Sequence, residues 1–144
     1  MRAIEHPLIK ALLSLGLPPD DFVIAGSGPL LAHGIRESIG DLDVVADKRA
    51  WSKALTLGSA EEAPLYGDQV KRIPLAGGKI EVLNGWFPDI WPTVRMLIEH
   101  ADCIDGLRYA SLKDVLTWKR KHNREKDRQD IHLIELYLQH GSLS

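Results

Sequence analysis

The chain has 144 residues, with 18 Lys and Arg against 20 Asp and Glu, and a formal net charge of -2 when its six histidines are neutral. That length suits one domain able to bury roughly 70% of its unfolded surface, and the 44% hydrophobic, 26% charged composition excludes disorder, collagen and a disulfide scaffold. The single Cys103 has no internal disulfide partner. The longest run without Asp, Glu, Lys or Arg, Phe22 to Ile35, is shorter than the ~18 residues of a membrane span and is broken by glycines and Pro29.

Ile4, Leu8, Ile9, Leu12 and Leu13 recur at helical spacing, and Gly16 with Pro18-Pro19 ends that helix. Glu5, His6 and Lys10 spoil a secretion signal, so a cytoplasmic location with no membrane partner is expected. Phe22 to Ala25, bounded by Asp20-Asp21 and Gly26-Ser27-Gly28, predicts a buried strand. A helix follows over Pro29 to His33, then a loop from Gly34 to Gly40. Asp41 to Ala46 predicts a second strand, and Asp47 caps a helix running through Trp51, Ala54 and Leu55 to Gly58. Val70 to Leu75 and Lys79 to Leu83, joined by Ala76-Gly77-Gly78, read as a hairpin.

Pro88 to Ala101 is predicted helical, with Ile90, Val94, Leu97 and Ile98 on one face, and Leu107 to Tyr109 reads as a short strand. Two helices close the chain, Ser111 to about His122 and about Arg124 to Gln139, the first with a capping-box-like Ser111 and Asp114. From Lys119 to Arg128 the local charge is +4, which leaves -6 elsewhere. Either a solvated helix face or a phosphate-bearing partner held at one place accounts for it. The expectation is one α+β domain over residues 1–144. A small mixed or antiparallel sheet at about 20–85 is flanked by helices, with a helical part at about 88–140.

Three features carry chemistry. Gly26-Ser27 stands between a strand and a helix, where a sharp turn and unpaired N–H groups make a phosphate cradle, although such turns also serve geometry alone. Asp41-Leu42-Asp43 opens an apolar strand, and alternation puts both carboxylates on one face. The pair repels unless a cation lies between, and its oxygens suit Mg²⁺; solvated strand-end aspartates are the plainer account. Glu81 is the one acid in its strand, and a solvent-facing position is the plainer account there too.

The order of a Gly-Ser turn, thirteen residues, Asp-x-Asp and a third strand carboxylate resembles the nucleotidyltransferase superfamily typified by DNA polymerase β. The stretch from Gly26 through Arg36 to Gly40-Asp-Leu-Asp43 is most similar to small bacterial members, relatives of abortive-infection toxins and antibiotic nucleotidyltransferases. The resemblance spans roughly residues 20 to 140. It implies that Gly26 and Ser27 hold a nucleoside triphosphate, while Asp41, Asp43 and Glu81 bind two Mg²⁺ or Mn²⁺ ions and carry catalysis.

Leu112, Val115, Leu116 and Lys119 share one helix stripe, so Lys119 must snorkel outward or meet an anion. Asp127 shares an inward stripe with Ile131, Ile134 and Leu138, and Asp127 and Asp130 lie early in their helix, where its dipole favours acids. Lys119, Arg124-Glu-Lys126-Asp127 and Asp130-Ile131 together resemble a signature of toxin-like members. That resemblance implies a nucleotide contact for Lys119, with Lys126 beside it and Asp127 and Asp130 one layer behind. The competing arrangement pairs Lys119 with Asp127 or Asp130 and ties the last two helices together. Arg36 is expected at a phosphate or exposed in its loop.

Cys103 is expected to be a small apolar filler, and Trp86, Phe87 and Trp91 to pack as core or lid, with base stacking the alternative. The expected function is a metal-dependent nucleotidyltransferase whose acceptor hydroxyl belongs to an RNA end, a protein or a small molecule. A weakly active or inactive antitoxin-like nucleotide-binding regulator and a metal-dependent phosphoesterase are the alternatives. So short a chain leaves little room for an acceptor domain, which makes a partner protein or a homodimer a candidate to complete the site.

Overall fold

Alternation in three short apolar strands organises the molecule. The computed structural model describes residues 2–141. Its strands are β1 (Phe22–Ala25), β2 (Leu42–Ala46), β3 (Glu61–Glu62), β4 (Lys71–Leu75), β5 (Ile80–Leu83), β6 (Asp102–Ile104) and β7 (Leu107–Tyr109). They form one mixed sheet in the order β3-β4-β5-β2-β1-β7-β6. The helices are α1 (Pro7–Ser14), α2 (Gly28–Ala32), α3 (Lys48–Leu55), α4 (Val94–Glu99), α5 (Leu112–His122) and α6 (Glu125–Gly141).

Phe22 and Ile24, Leu42 and Val44, and Ile80 and Val82 point to one face, where Ile9 and Leu12 of α1 and Ala50 and Ala54 of α3 cover them. Val23, Val45 and Leu83 point to the other, under Leu97 of α4, Val115 and Trp118 of α5 and Ile134 of α6. Both faces of the sheet are therefore core, which is why β1 reads as a continuous apolar run. The α+β class and the two C-terminal helices are as expected. Among the described residues, no helix is long and apolar enough to cross a membrane.

The helix expected over 88–101 is confined to Val94–Glu99. Pro92 pushes Trp91 out of helical backbone, and the Thr93 hydroxyl then caps α4 by accepting from the Met96 N–H at 3.3 Å. Strand β6 was not foreseen. It pairs with β7 across Asp105-Gly106, both at positive φ (53° and 81°), the backbone of a two-residue hairpin turn. That pairing also leaves Cys103 exposed on an edge strand, so it is not an apolar filler.

Candidate functional site

β1 and β2 are antiparallel with Ala25 opposite Asp43, so the end of β1 lies beside the start of β2. β2 and β5 are parallel with Asp43 beside Glu81. The pleat that buries Leu42, Val44, Ile80 and Val82 on one face sends Asp43 and Glu81 to the other, the side of α5 and α6. Sequence-distant residues thus meet at one end of the sheet.

Gly26 shows how tightly. Its φ is +61°, and a Cβ there would lie 2.5 Å from Asp43 Oδ2. Only glycine meets both demands. Gly26→Ala is expected to cost about 1–2 kcal/mol for the left-handed backbone alone, with more from the displaced carboxylate. A thermal melt checks it; wild-type stability would show that the turn accepts a side chain.

Burial raises the Asp43 carboxyl, the neighbouring Asp41 and Glu81 raise it further, and Lys126 and Lys119 oppose them, leaving it at about 7. Glu81 accepts a 3.0 Å hydrogen bond from Arg72 Nη1, while Arg72 Nε donates to Glu61 at 2.7 Å. Among the described residues, no group of three or more acidic, histidine or cysteine side chains stands ready to hold a metal ion, and Glu81 is engaged by Arg72.

The cleft at this end is lined by Gly26, Ser27, Asp41 and Asp43 on the sheet side and by Lys119, Arg124 and Lys126 on the helix side. Glu81, beside Asp43 on the next strand and bound to Arg72, is not part of the lining, and neither is Arg36. Arg36 instead donates to Asp130 Oδ1 from Nε (3.0 Å) and Nη2 (2.5 Å), pinning the loop that leads to Asp41 onto α6.

Lys119 is 1% exposed. Its Nζ lies 2.9 Å from Asp130 Oδ2, 3.4 Å from Asp127 Oδ1 and 4.5 Å above the Trp118 ring. This is the competing arrangement set out above, in a side chain that also lines the cleft. Asp127 makes one half of a capping box, its carboxylate accepting from the Arg124 backbone N–H (3.1 Å), and it also accepts from Arg124 Nε (2.7 Å). Burial pushes the Asp127 carboxyl up, but the Arg124 hydrogen bonds and then Lys119 outweigh it and hold the pKa below the usual value.

The remaining wall is aromatic: Tyr66, Trp86, Phe87, Trp118 and His122. Burial, then the Arg124 charge, holds the His122 imidazole below its ordinary pKa. Trp91 lies outside the cleft, in the core with Leu97 and Ile98. Sequence reasoning placed Arg124 in the C-terminal signature without a role of its own, missed Arg72 as a site neighbour, and missed Tyr66 and Trp118 altogether. Tyr66 sits in a short 3₁₀ turn (Pro64–Tyr66) where no periodicity marks a facing side.

The fold and the cleft define an α+β protein in which an acidic sheet end opposes a cationic helix pair. No protein-family model matches the chain, and no curated protein or solved structure matches it.

Proposed function

We propose that this protein is a metal-dependent nucleotidyltransferase, moving a nucleoside monophosphate from a nucleoside triphosphate to an acceptor hydroxyl. One observation carries the reading: the Gly26-Ser27 turn abuts Asp43 in a cleft that also holds Asp41, Lys119 and Lys126. A tight turn, paired acids and cations in one place suit a triphosphate with divalent ions.

The donor chemistry fits Mg²⁺ or Mn²⁺. Asp43 is a carboxylate whose charge is disfavoured by burial and by two neighbouring acids, and a divalent cation relieves that. Asp41 and Asp43 would hold both ions, and Glu81 would join one of them on leaving Arg72. When bound, the ions supply charge neutralisation on the phosphates and on the attacking and leaving oxygens.

The chain's own groups do the rest. Because α2 has only five residues, phosphate support falls on the N–H groups of the Gly26-Ser27 turn and the Ser27 hydroxyl, not on a helix dipole. Lys126, exposed at the start of α6, supplies a mobile ammonium to the phosphates, and the charge of Lys119 lies behind it. In the transfer, the acceptor oxygen bonds the α-phosphorus, the bond to the bridging oxygen breaks and pyrophosphate leaves. The acceptor's proton would pass to Glu81 once that carboxylate leaves Arg72 and turns into the cleft. Positioning and charge neutralisation account for most of such catalysis. A cytoplasmic setting and an acceptor face completed by a partner or a second copy accompany this reading.

The Arg72–Glu81 ion pair favours a second reading, a nucleotide-binding regulator with little or no turnover. Incubating the protein with Mg²⁺, cell extract and nucleoside triphosphates labelled at the α-phosphate separates the two. Transfer predicts covalent label in an RNA, protein or small-molecule fraction with release of pyrophosphate. Bound nucleotide without covalent label would support the regulator, and release of inorganic phosphate would mean hydrolysis.

A further inference from the structure

Phosphate and metal leave the aromatic end of the cleft without a task. Tyr66 stacks on Trp86 (centroids 5.1 Å apart, planes at 25°), Phe87 stacks on Trp118 (6.0 Å, 14°), and the two indoles meet edge to face at 5.2 Å. Trp86 and Trp118 are 2% and 4% exposed, yet among the described residues neither indole N–H has a hydrogen-bond partner, and neither does Nδ1 of His122. An indole nitrogen only donates, and a buried donor left unmade is destabilising, so a core built only for packing would favour Phe or Leu at these positions.

The backbone shows the same departure from plain packing. Phe87 is held at φ +43°, an outlier for a bulky side chain, and its N–H donates to the Tyr66 carbonyl at 2.7 Å. Strain of this kind persists where surrounding structure imposes it, and here it joins the Tyr66 turn to the aromatic wall. Leu65, 58% exposed, adds apolar surface at the mouth of the same cleft.

We infer that this aromatic end is the nucleobase subsite. A ligand that spans the cleft carries phosphate at one end and a planar ring with acceptor atoms at the other, which is the chemistry of a nucleotide. The base stacks on the partly exposed rings of Tyr66 and His122, with the buried indoles of Trp86 and Trp118 forming the floor beneath them. Every base has a stacking face, so the subsite accepts purines and pyrimidines. This inference rests on the nucleotidyltransferase reading and adds to it where the base lies and what recognises it.

The test compares ligands with and without a base. ATP, GTP, UTP and inorganic tripolyphosphate, all with Mg²⁺, are titrated calorimetrically into wild type, Tyr66→Ala and His122→Ala, after melts establish that each variant is folded. Should Tyr66→Ala fail to fold, His122→Ala carries the same comparison from a half-buried ring at the end of α5. Wild type should bind nucleotides roughly tenfold or more tightly than tripolyphosphate, and each variant should lose about tenfold of nucleotide affinity with tripolyphosphate unchanged. Nucleotides alone should also perturb tryptophan fluorescence. Equal losses for all four ligands, or no loss, would overturn the base subsite while leaving the phosphate site standing. Wild type binding none of the four would remove the nucleotidyltransferase reading and the subsite together.

Discussion

Asp43→Asn should abolish nucleotidyl transfer and, in the metal-free protein at pH 8, raise stability by up to about 4 kcal/mol, or on the order of 10 °C in melting temperature. The folded carboxyl sits at about 7, above the ordinary 3.8 of an aspartate, because of burial first and then Asp41 and Glu81. Between those two values the folded state holds the proton more firmly than the unfolded chain. Stability from Asp43 is therefore full below about pH 4 and is lost as pH rises through about 7. The asparagine variant escapes that loss, so its advantage should be small near pH 4, grow through pH 5 to 7 and level off above. Urea melts at pH 4.5 and 8 read the difference directly. An advantage equal at both values would mean that no buried charge is involved, and a variant that fails to fold would make Asp43 a structural residue.

Lys119→Met should act in the opposite direction. The substitution removes the ammonium between Asp127 and Asp130, both fully buried, and leaves each carboxylate with one arginine, Arg124 and Arg36 respectively. Breaking a buried pair by deleting one partner costs about 3–5 kcal/mol, and the retained arginines put this case near the lower end. A fall of roughly 10 °C in melting temperature follows for a chain of this size. Methionine keeps the helix and the volume, so the loss reads the charge network and not packing. Nucleotide affinity, measured well below the melt, should fall less than tenfold. Unchanged stability with a large loss of nucleotide affinity would instead make Lys119 a direct phosphate ligand.

Much of this was legible because the decisive residues obey short-range rules. Phe22 to Ala25 is apolar on both faces and bounded by turn residues; the strand expected from Asp41 begins one residue later, at Leu42, so the pleat fixes the face of Asp43 while Asp41 reaches the same cleft from the loop just before β2. The antiparallel register that sets Ala25 opposite Asp43 then turns a linear spacing into a contact. The stripe of Leu112, Val115 and Leu116 told that Lys119 is inward. It did not tell which anion meets it, because that depends on how α6 crosses α5. Arg36 illustrates the same limit: a loop arginine has no periodicity, and its partner Asp130 lies far along the chain. Pro92 cut the expected helix short, although its effect on Trp91 was readable from the dipeptide. Asp105-Gly106 was a hairpin signal of the same kind for β6, obscured because Asp102-Cys103-Ile104 is short and half polar. The aromatic wall was legible in part: Trp86 and Phe87 follow β5 closely and were expected as core, lid or stacking residues, whereas Tyr66 and Trp118 join them from a turn and a helix only in three dimensions.

The most direct test is a set of melting curves with Mg²⁺ alone, a nucleoside triphosphate alone, and both together. If the Gly26-Ser27 turn, the acids and the cations form one nucleotide-and-metal site, the two ligands at about 100 times their dissociation constant should add about 2.7 kcal/mol. That is a rise of roughly 5–10 °C, larger than the two separate shifts combined and absent in Asp43→Asn. A wild-type melt unmoved by saturating nucleotide and metal together would contradict it.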